Sequence, residues 1–299
     1  MKEYATSLTA NLCSFARAYH SNFVHKKIFN DYLSFDLMGK DLYEKTGLLI
    51  QNKFQKETFD LNEWLCTPSI MHELVEFIEP IPLSRIAFFE KELASFAALH
   101  GKIQYVICGA GLDSFGFRNA DSNIKVFEID HPNTQKFKKN RIKELEWNSS
   151  RLIFVPVDFS KDDMNVELIK KGFDTSVPTF FAIPGVSYYL TLPVLEGTIE
   201  KISALCKTPT LVCLDYPDET TFSRPSKDRV SILAQITEKL SEKMTGTYSS
   251  IEMKQMFRRH RFSIEKHLSP DDIQNEFFEG RKDGLRAFEN VHFMTAKNY

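Results

Sequence analysis

The pattern of apolar and polar positions divides the chain into a helical first part and a second part in which strands and helices alternate. Before residue 100, apolar residues recur at helical spacing. One helix is predicted to begin at Thr67-Pro68, and another is predicted to begin near Pro82 and to end at Gly101. From Gln104 onward, short apolar runs follow one another with helical stretches between them.

Seven apolar runs predict strands: Gln104–Cys108, Lys125–Ile129, Leu152–Val157, Thr179–Ile183, Thr210–Leu214, Arg261–Lys266 and Val291–Ala296. Alternation of strands with helices predicts a mostly parallel sheet covered on both faces. The segment before the last run lacks a helical pattern, which favours an antiparallel last strand. The predicted fold is therefore α/β and Rossmann-like, with residues 1–100 as an N-terminal helical cap and residues 101–299 as the sheet domain.

The composition is that of an ordinary globular protein, and the charge distribution argues against nucleic-acid binding. The chain has 299 residues, 42% hydrophobic content and a formal net charge of −2, which are ordinary values for a globular protein. Its densest basic cluster is predicted to be the solvated face of one helix: Lys136, Lys138, Lys139, Arg141 and Lys143. No basic patch typical of a nucleic-acid-binding protein is present.

Cysteine usage and hydropathy indicate the compartment. The five cysteines are scattered without a C-x-x-C pair, which argues against disulfides and a structural zinc site. No export signal is visible, and the uncharged run over residues 175–195 is interrupted by prolines. We therefore expect a cytoplasmic protein that spans no membrane and needs no metal, since no ligand-like cluster occurs.

The most informative segment is an apolar strand that runs directly into the turn Gly109-Ala110-Gly111. Glycines allow a tight turn and a close approach of the backbone to a ligand, and open α/β sheets bind ligands at strand ends. The next strand ends Phe127-Glu128-Ile129-Asp130, roughly 20 positions beyond the glycines, where such folds bind a ribose. Asp130 is the candidate, and Glu128 is the lesser one.

The residues after the turn indicate which nucleotide is bound. A dinucleotide site has a third glycine, whereas this chain has Ser114 preceded by the carboxylate of Asp113, which would repel a pyrophosphate. S-adenosylmethionine carries no phosphate and has a cationic sulfonium beside its amino-acid portion, so it fits better than NAD. An NAD-dependent oxidoreductase on a similar sheet is the alternative. After the third strand, Asp158 is predicted to accept from an adenine amine, with Phe159 against the ring.

These motifs resemble the leucine carboxyl methyltransferase family, which includes bacterial polyketide-type O-methyltransferases. The resemblance rests on four segments in order: Gly109–Ser114, Phe127–Pro132, Val157-Asp158 and Gly185–Thr191. It extends upstream to Thr6–Ala10, Arg17-Ala18 and Arg85, and downstream to Phe262–Pro270, so it covers nearly the whole chain. It implies a methyltransferase with S-adenosylmethionine as cofactor.

The resemblance also implies roles for single residues. Arg85 would grip the methionine carboxylate, since a guanidinium can meet both oxygens. Gly109 would lie against the amino-acid portion of the cofactor, within a turn completed by Ala110 and Gly111. Asp130 would hold the ribose and Asp158 the adenine.

Two positions depart from the family pattern. Pro184 stands where members usually have Glu, and Phe115 stands where many bacterial members have Arg. Any contact made by the family glutamate must be supplied otherwise or lost. These departures leave open an altered choice of substrate or a member that binds cofactor without catalysis.

The methyl acceptor is left open between a carboxyl and a hydroxyl oxygen. A small molecule such as a secondary metabolite is expected, and a protein C-terminus is the alternative. A carboxylate needs no general base, whereas an alcohol does. The candidate groups are His20, His25 and His72 in the N-terminal part, with Tyr188 and Tyr189 after the fourth strand. The oligomeric state is not indicated.

Overall fold

The structure, a computed structural model, describes residues 7–58, 75–158, 161–222, 229–239 and 242–299. Two sequence predictions, the helix start at Thr67-Pro68 and the role of Phe159, lie outside these residues. The helices in the described parts, numbered in chain order, are α1 (Leu8–Phe23), α2 (Ser34–Met38), α3 (Lys40–Thr58), α4 (Pro80–His100), α5 (Phe115–Arg118), α6 (Pro132–Glu144), α7 (Met164–Lys170), α8 (Leu192–Leu205), α9 (Arg229–Lys239), α10 (Ser250–Arg259) and α11 (Pro270–Ile273). A 3₁₀ turn covers Ser187–Tyr189, and a π turn covers Gln274–Phe278.

The predicted helix near Pro82 is confirmed as α4. It begins two residues earlier than predicted, with Pro80 in its first turn, where the missing N–H of proline costs nothing. It ends where Gly101 adopts a φ of 71° and donates its N–H to the carbonyl of Ala97. This left-handed conformation at the helix end is the one that glycine adopts without strain.

Seven strands form one sheet: β1 (Ile103–Cys108), β2 (Ile124–Asp130), β3 (Leu152–Pro156), β4 (Thr179–Ile183), β5 (Thr210–Pro217), β6 (Phe262–Leu268) and β7 (Val291–Asn298). Their order is β3-β2-β1-β4-β5-β7-β6. The first five strands pair in parallel, and β7 lies antiparallel between β5 and β6. The predicted sheet and its antiparallel last strand are confirmed. The chain order reverses at β1 and β4, which is where open α/β sheets bind ligands.

Alternate residues of the strands enter two separate apolar clusters, one on each face of the sheet. On β1, Tyr105 and Ile107 face the cluster shared with α1 and α4, whereas Val106 and Cys108 face the cluster shared with α8 and α10. This alternation follows from the two-residue period of a strand. Both faces of the sheet are therefore covered by helices.

The N-terminal helices share their apolar cluster with the sheet. Phe15 and Leu37 are buried in the same cluster as Ile107 and Phe180 of the sheet. Burial of a side chain as large as Phe15 stabilises a fold by about 1.5–3 kcal/mol. The division into a cap of residues 1–100 and a domain of residues 101–299 stays a prediction.

One prediction about α6 is wrong for a single residue. The sequence predicts Lys138 on a solvated face, but its side chain is 1% exposed and its Nζ lies 2.6 Å from Oε2 of Glu128. The reason is helical spacing, because Lys138 lies four residues from both Thr134 and Ile142, which are buried on the same face of the helix. A buried carboxylate on β2 supplies the partner that a buried ammonium requires.

None of the helices in the described parts of the chain is long and apolar enough to cross a membrane.

Candidate active site

The turn after β1 is held tightly against the loop that follows β4. Gly109 and Gly111 have φ angles of 79° and 54°, in the left-handed region that favours glycine. A Cβ atom on Gly109 would lie 2.6 Å from Cγ2 of Val186, which is closer than such atoms approach in proteins. The two N–H groups of Gly109 and Ala110 both donate to the carbonyl of Ile129 on β2. The sequence thus needs glycine here for conformation and for space.

Asp130 lies at the end of β2 and holds the turn directly. Its carboxylate accepts from the backbone N–H of Gly111 at 2.6 Å and from that of His131 at 2.7 Å. Burial raises the pKa of Asp130, and the two N–H groups oppose that shift. Each carboxylate oxygen can accept a second hydrogen bond, so Asp130 can still receive ligand hydroxyl groups.

Arg85 projects from α4 and pairs with a carboxylate that the sequence motifs did not identify. Its Nη1 lies 2.9 Å from Oδ2 of Asp215, at the end of β5, and Oδ1 of Asp215 accepts from the N–H of Gly185 at 2.7 Å. Burial opposes the charge of Arg85, but the carboxylate of Asp215 outweighs it and the pKa of Arg85 is raised. Arg85 is therefore a fixed cation, and Asp215 is completely buried.

The glycine turn, Asp130 and Arg85 line one cavity of about 240 Å³ at the ends of β1, β2 and β4. Its walls are the glycine turn with Asp130, the α4 face that carries Arg85, the first part of α1, and the loop Pro184–Val186. The cavity therefore has a carboxylate that can accept hydrogen bonds, a fixed cation and a close backbone turn. A ligand with a ribose and a carboxylate fits this set of groups.

A second, smaller cavity of about 60 Å³ adjoins the first. The two share five lining residues: Cys13, Pro82, Arg85, Gly185 and Tyr189. The rest of its lining in the described residues is mainly apolar and includes Leu12, Ile78, Leu233 and Met244. The small cavity lies beside Arg85, at the end of the large cavity where a methionine carboxylate is expected to bind.

Two predicted cofactor contacts, Asp158 with adenine and Glu128 with the ribose, are not brought into the cavity. Asp158 lies after β3 and pairs with Nζ of Lys161 at 3.0 Å, and it is not among the residues that line the cavity. Glu128, the lesser ribose candidate, is buried and bound to Lys138, so it does not face the cavity either. Among the acidic residues at these two strand ends, only Asp130 lines the cavity.

His20 is placed away from the cavity, and this geometry argues against its role as a base. It is completely buried, with Nδ1 3.0 Å from Oε2 of Glu79 and with Nε2 accepting from the N–H of Ile28 at 2.8 Å. Burial lowers the pKa of His20 to about 4. His25 is exposed outside the cavity, and His72 lies outside the described residues.

The two tyrosines remain near the site but are poor bases. Tyr189 lines both cavities, and its hydroxyl lies 2.7 Å from Oγ1 of Thr9. The hydroxyl of Tyr188 is buried near Asp215 and lacks a well-formed hydrogen bond among the described residues. Burial raises the pKa of both phenols. They are therefore protonated at neutral pH, where a phenol can donate a hydrogen bond but cannot take up a proton.

The two departures from the family pattern have different surroundings. Phe115 is buried and packs edge-on against Tyr105, with ring centroids 5.0 Å apart, so an apolar contact replaces the expected arginine. Pro184 lines the cavity, and the adjacent Gly185 binds Asp215. Asp215 thus brings a carboxylate next to position 184 from a different strand. In the sequence, Asp215 directly follows the apolar run Thr210–Leu214. This polar residue at a strand end is the signal by which the sequence could have identified it.

Comparison with known proteins decides the class of this site. Residues 10–203 match the sequence model for leucine carboxyl methyltransferase. The chain belongs to the leucine carboxyl methyltransferase family. Bacillus subtilis (strain 168) has a relative, YktD, that is named as an S-adenosyl-L-methionine-dependent methyltransferase and is 35% identical over 99% of both chains.

Solved structures agree with the fold of this family member. A duf574 family protein from Streptomyces avermitilis superposes with a TM-score of 0.65, at 10% identity over 99% of both chains. A protein from Thermobifida fusca named as a methyltransferase superposes with a TM-score of 0.57, at 11% identity over 99% of this chain and 96% of that one. At such low identity these two structures show the fold, whereas the family and YktD show the activity. The chain is an S-adenosylmethionine-dependent methyltransferase, and the NAD-dependent alternative is set aside.

Metal ligands are not grouped in the parts of the chain that the structure describes, where no cluster of three or more His, Cys, Asp or Glu could hold an ion. That the activity needs no metal stays a prediction.

Proposed function

We propose that this methyltransferase transfers a methyl group to the carboxylate oxygen of a small, apolar molecule. The observation that carries the proposal is the small cavity beside Arg85, because it adjoins the large cavity and has a mainly apolar lining. In this proposal the large cavity holds S-adenosylmethionine and the small cavity holds the acceptor.

The residues of the large cavity fit the cofactor. Asp130 would accept from the ribose hydroxyls, Arg85 would meet the methionine carboxylate, and the turn Gly109–Gly111 would lie against the amino-acid portion. S-adenosylmethionine supplies an electrophilic methyl group on its sulfonium sulfur. The protein's task is to hold the acceptor oxygen in line and to exclude water, and such positioning can lower a barrier by roughly 7–11 kcal/mol.

The absence of a suitable base among the described residues that line the small cavity favours a carboxylate over an alcohol. The described lining of the small cavity contains no His, Lys, Asp or Glu, and its two phenols have raised pKa values. A carboxylic acid with a pKa of about 4 is already ionised at neutral pH. An alcohol would need a group that removes its proton during the reaction.

The size of the small cavity favours a small acceptor or a thin end of one. Its volume of about 60 Å³ is well below the roughly 300–1,000 Å³ of pockets that enclose whole drug-sized ligands. The acid end of an apolar molecule therefore fits, with its carboxylate toward the large cavity and with Leu12 and Ile78 against its carbon chain. A secondary metabolite and a protein C-terminus can both present such an acid end, and they differ in the part of the molecule that lies outside the small cavity.

The experiment distinguishes an ester from an ether. Purified protein is incubated with S-adenosylmethionine that carries a tritiated methyl group and with a panel of straight-chain and aromatic carboxylic acids, each paired with its corresponding alcohol. Mild alkali hydrolyses a methyl ester to volatile methanol, whereas an ether is stable. We expect radioactive methanol from the acids only. Alkali-stable product from the alcohols, without any ester, would contradict the proposal.

A further inference from the structure

Two consecutive carbonyl groups of the glycine loop are each bound by a buried cation. Nη2 of Arg17, on α1, donates to the carbonyl of Leu112 at 2.9 Å. Nζ of Lys138, on α6, donates to the carbonyl of Asp113 at 2.5 Å. The two carbonyls directly follow Gly111, so the loop is held by side chains from two different helices.

Each cation is paired with a carboxylate that is also buried. Nη1 of Arg17 lies 2.7 Å from Oδ2 of Asp31, and these side chains are 7% and 0% exposed. Nζ of Lys138 lies 2.6 Å from Oε2 of Glu128, and these side chains are both 1% exposed. Asp31 also accepts from Oγ of Ser114, the next residue of the loop, at 2.5 Å.

Stability of the fold is a weak reason for these pairs. Taking two charges out of water costs as much as their attraction returns, and apolar residues of similar volume often serve a core equally well. Burial raises the pKa of Glu128 to about 7, against the pull of Lys138, which shows how strongly this site disfavours charge. The hydrogen bonds from the two cations to the loop carbonyls explain why charged residues stand here, because apolar residues could not donate them.

Fixing these carbonyls fixes the orientation of the loop. A peptide group is planar, so holding the carbonyl of Leu112 also orients the N–H of Asp113, and holding the carbonyl of Asp113 orients the N–H of Ser114. The same strand that carries Glu128 also carries Asp130, which accepts from the N–H of Gly111. The loop is thus fixed from both sides by charge-assisted hydrogen bonds.

We propose that the pairs Arg17–Asp31 and Glu128–Lys138 are positioning residues, which hold the glycine loop in the conformation that receives S-adenosylmethionine. Removal of either pair then weakens cofactor binding, while the fold tolerates apolar replacements. This inference rests on the proposed role of Gly109–Gly111 in cofactor binding.

The decisive variant is the double substitution Glu128→Met with Lys138→Met, which removes both charges and keeps the volume nearly constant. We expect its urea unfolding midpoint to stay near that of the wild type. Its calorimetric dissociation constant for S-adenosylhomocysteine should rise at least about tenfold, a free-energy change of about 1.4 kcal/mol. The KM for S-adenosylmethionine should rise with it while kcat changes little.

The matched control is Lys139→Met, on the same helix one residue away, where the side chain is exposed. It should bind S-adenosylhomocysteine as the wild type does. If the double variant does not fold, Lys138→Met assayed at pH 6 replaces it, since Glu128 without its cation is then protonated and uncharged.

The outcomes separate this inference from the proposed function. Folded wild-type protein that binds no S-adenosylhomocysteine would overturn the assigned cofactor cavity. Wild-type protein that binds, with a folded variant that binds equally well, would overturn the positioning role alone. Hydrogen exchange at the amides of the glycine loop is the second measurement. We expect it to be slower in the wild type than in the variant. Equal exchange rates would count against the positioning role.

Discussion

At the scale of single residues, His20 and Glu79 show how burial sets a charge state. Nε2 of His20 accepts from a backbone N–H, so Nδ1 carries the proton and donates to Glu79 at 3.0 Å. Burial lowers the pKa of His20 to about 4 and raises the pKa of Glu79 to about 9, to which Asp283 contributes. Both side chains are therefore uncharged at neutral pH.

The variant Glu79→Gln tests this charge state. The folded protein keeps the proton on Glu79 up to about pH 9, whereas the unfolded chain releases it near the ordinary value of 4.5. The free energy of unfolding should therefore fall as pH rises between these values, and Glu79→Gln should lack this loss. Relative to the variant, wild type should lose more than about 1 kcal/mol from pH 5.5 to 8.5 in urea titrations.

The control for that measurement is Glu44→Gln, because Glu44 is exposed and pairs with Lys40 at the surface. Its stability difference from wild type should not depend on pH. An equal difference between wild type and Glu79→Gln at both pH values would show that Glu79 is ionised in the folded protein.

At the scale of elements, the start of α1 is fastened over the large cavity by one distant carboxylate. Glu242 accepts from the backbone N–H groups of Leu8 and Thr9 at 2.6 and 3.0 Å, and from the hydroxyls of Ser7 and Thr9. A carboxylate is favourable at a helix N-terminus. Ser7 and Thr9 line the cavity, so Glu242 holds part of its wall.

Glu242→Gln should loosen this wall, since an amide offers one acceptor oxygen in place of two. Loss of an N-cap contact is worth about 1 kcal/mol, so we expect S-adenosylhomocysteine to dissociate about fivefold faster in stopped-flow experiments. Amide exchange at residues 8–10 should also be faster. The control is Glu238→Gln, because Glu238 is an exposed neighbour that pairs with Lys243. Equal dissociation rates in both variants would exclude a role of Glu242 in closing the cavity.

The elements that the sequence predicts well are those with local signals. The strand before Gly109 and the strand that ends at Asp130 are marked by apolar runs with polar ends, and both form where expected. The contact between Glu242 and Thr9 joins residues 233 positions apart, and no local pattern marks it. Lys138 and Asp215 are partly predictable. Helical spacing indicates that Lys138 is buried, and its position after an apolar run indicates that Asp215 lies at a strand end. Their partners, Glu128 and Arg85, are known only from the fold.

At the scale of the whole molecule, the cavity at the carboxyl ends of the strands is lined by residues from widely separated parts of the chain. Strand ends supply the glycine turn and Asp130, α4 supplies Arg85, and α1 supplies a further part of the cavity wall. The apolar cluster that joins Phe15 to Phe180 ties the N-terminal helices to the sheet, so they contribute to the core as well as to the cavity. Whether those helices also select the acceptor stays a prediction.

The central claim is that this cavity binds the cofactor through Asp130, and calorimetric titration with S-adenosylhomocysteine tests it most directly. Wild-type protein should bind at micromolar concentration or tighter, about 8 kcal/mol. Asp130→Ala should lose at least about tenfold in affinity, since charge-assisted hydrogen bonds are worth roughly 1.5–3 kcal/mol each. Asp158→Ala, outside the cavity lining, should lose much less. No binding to folded wild type, or equal losses in both variants, would contradict the account.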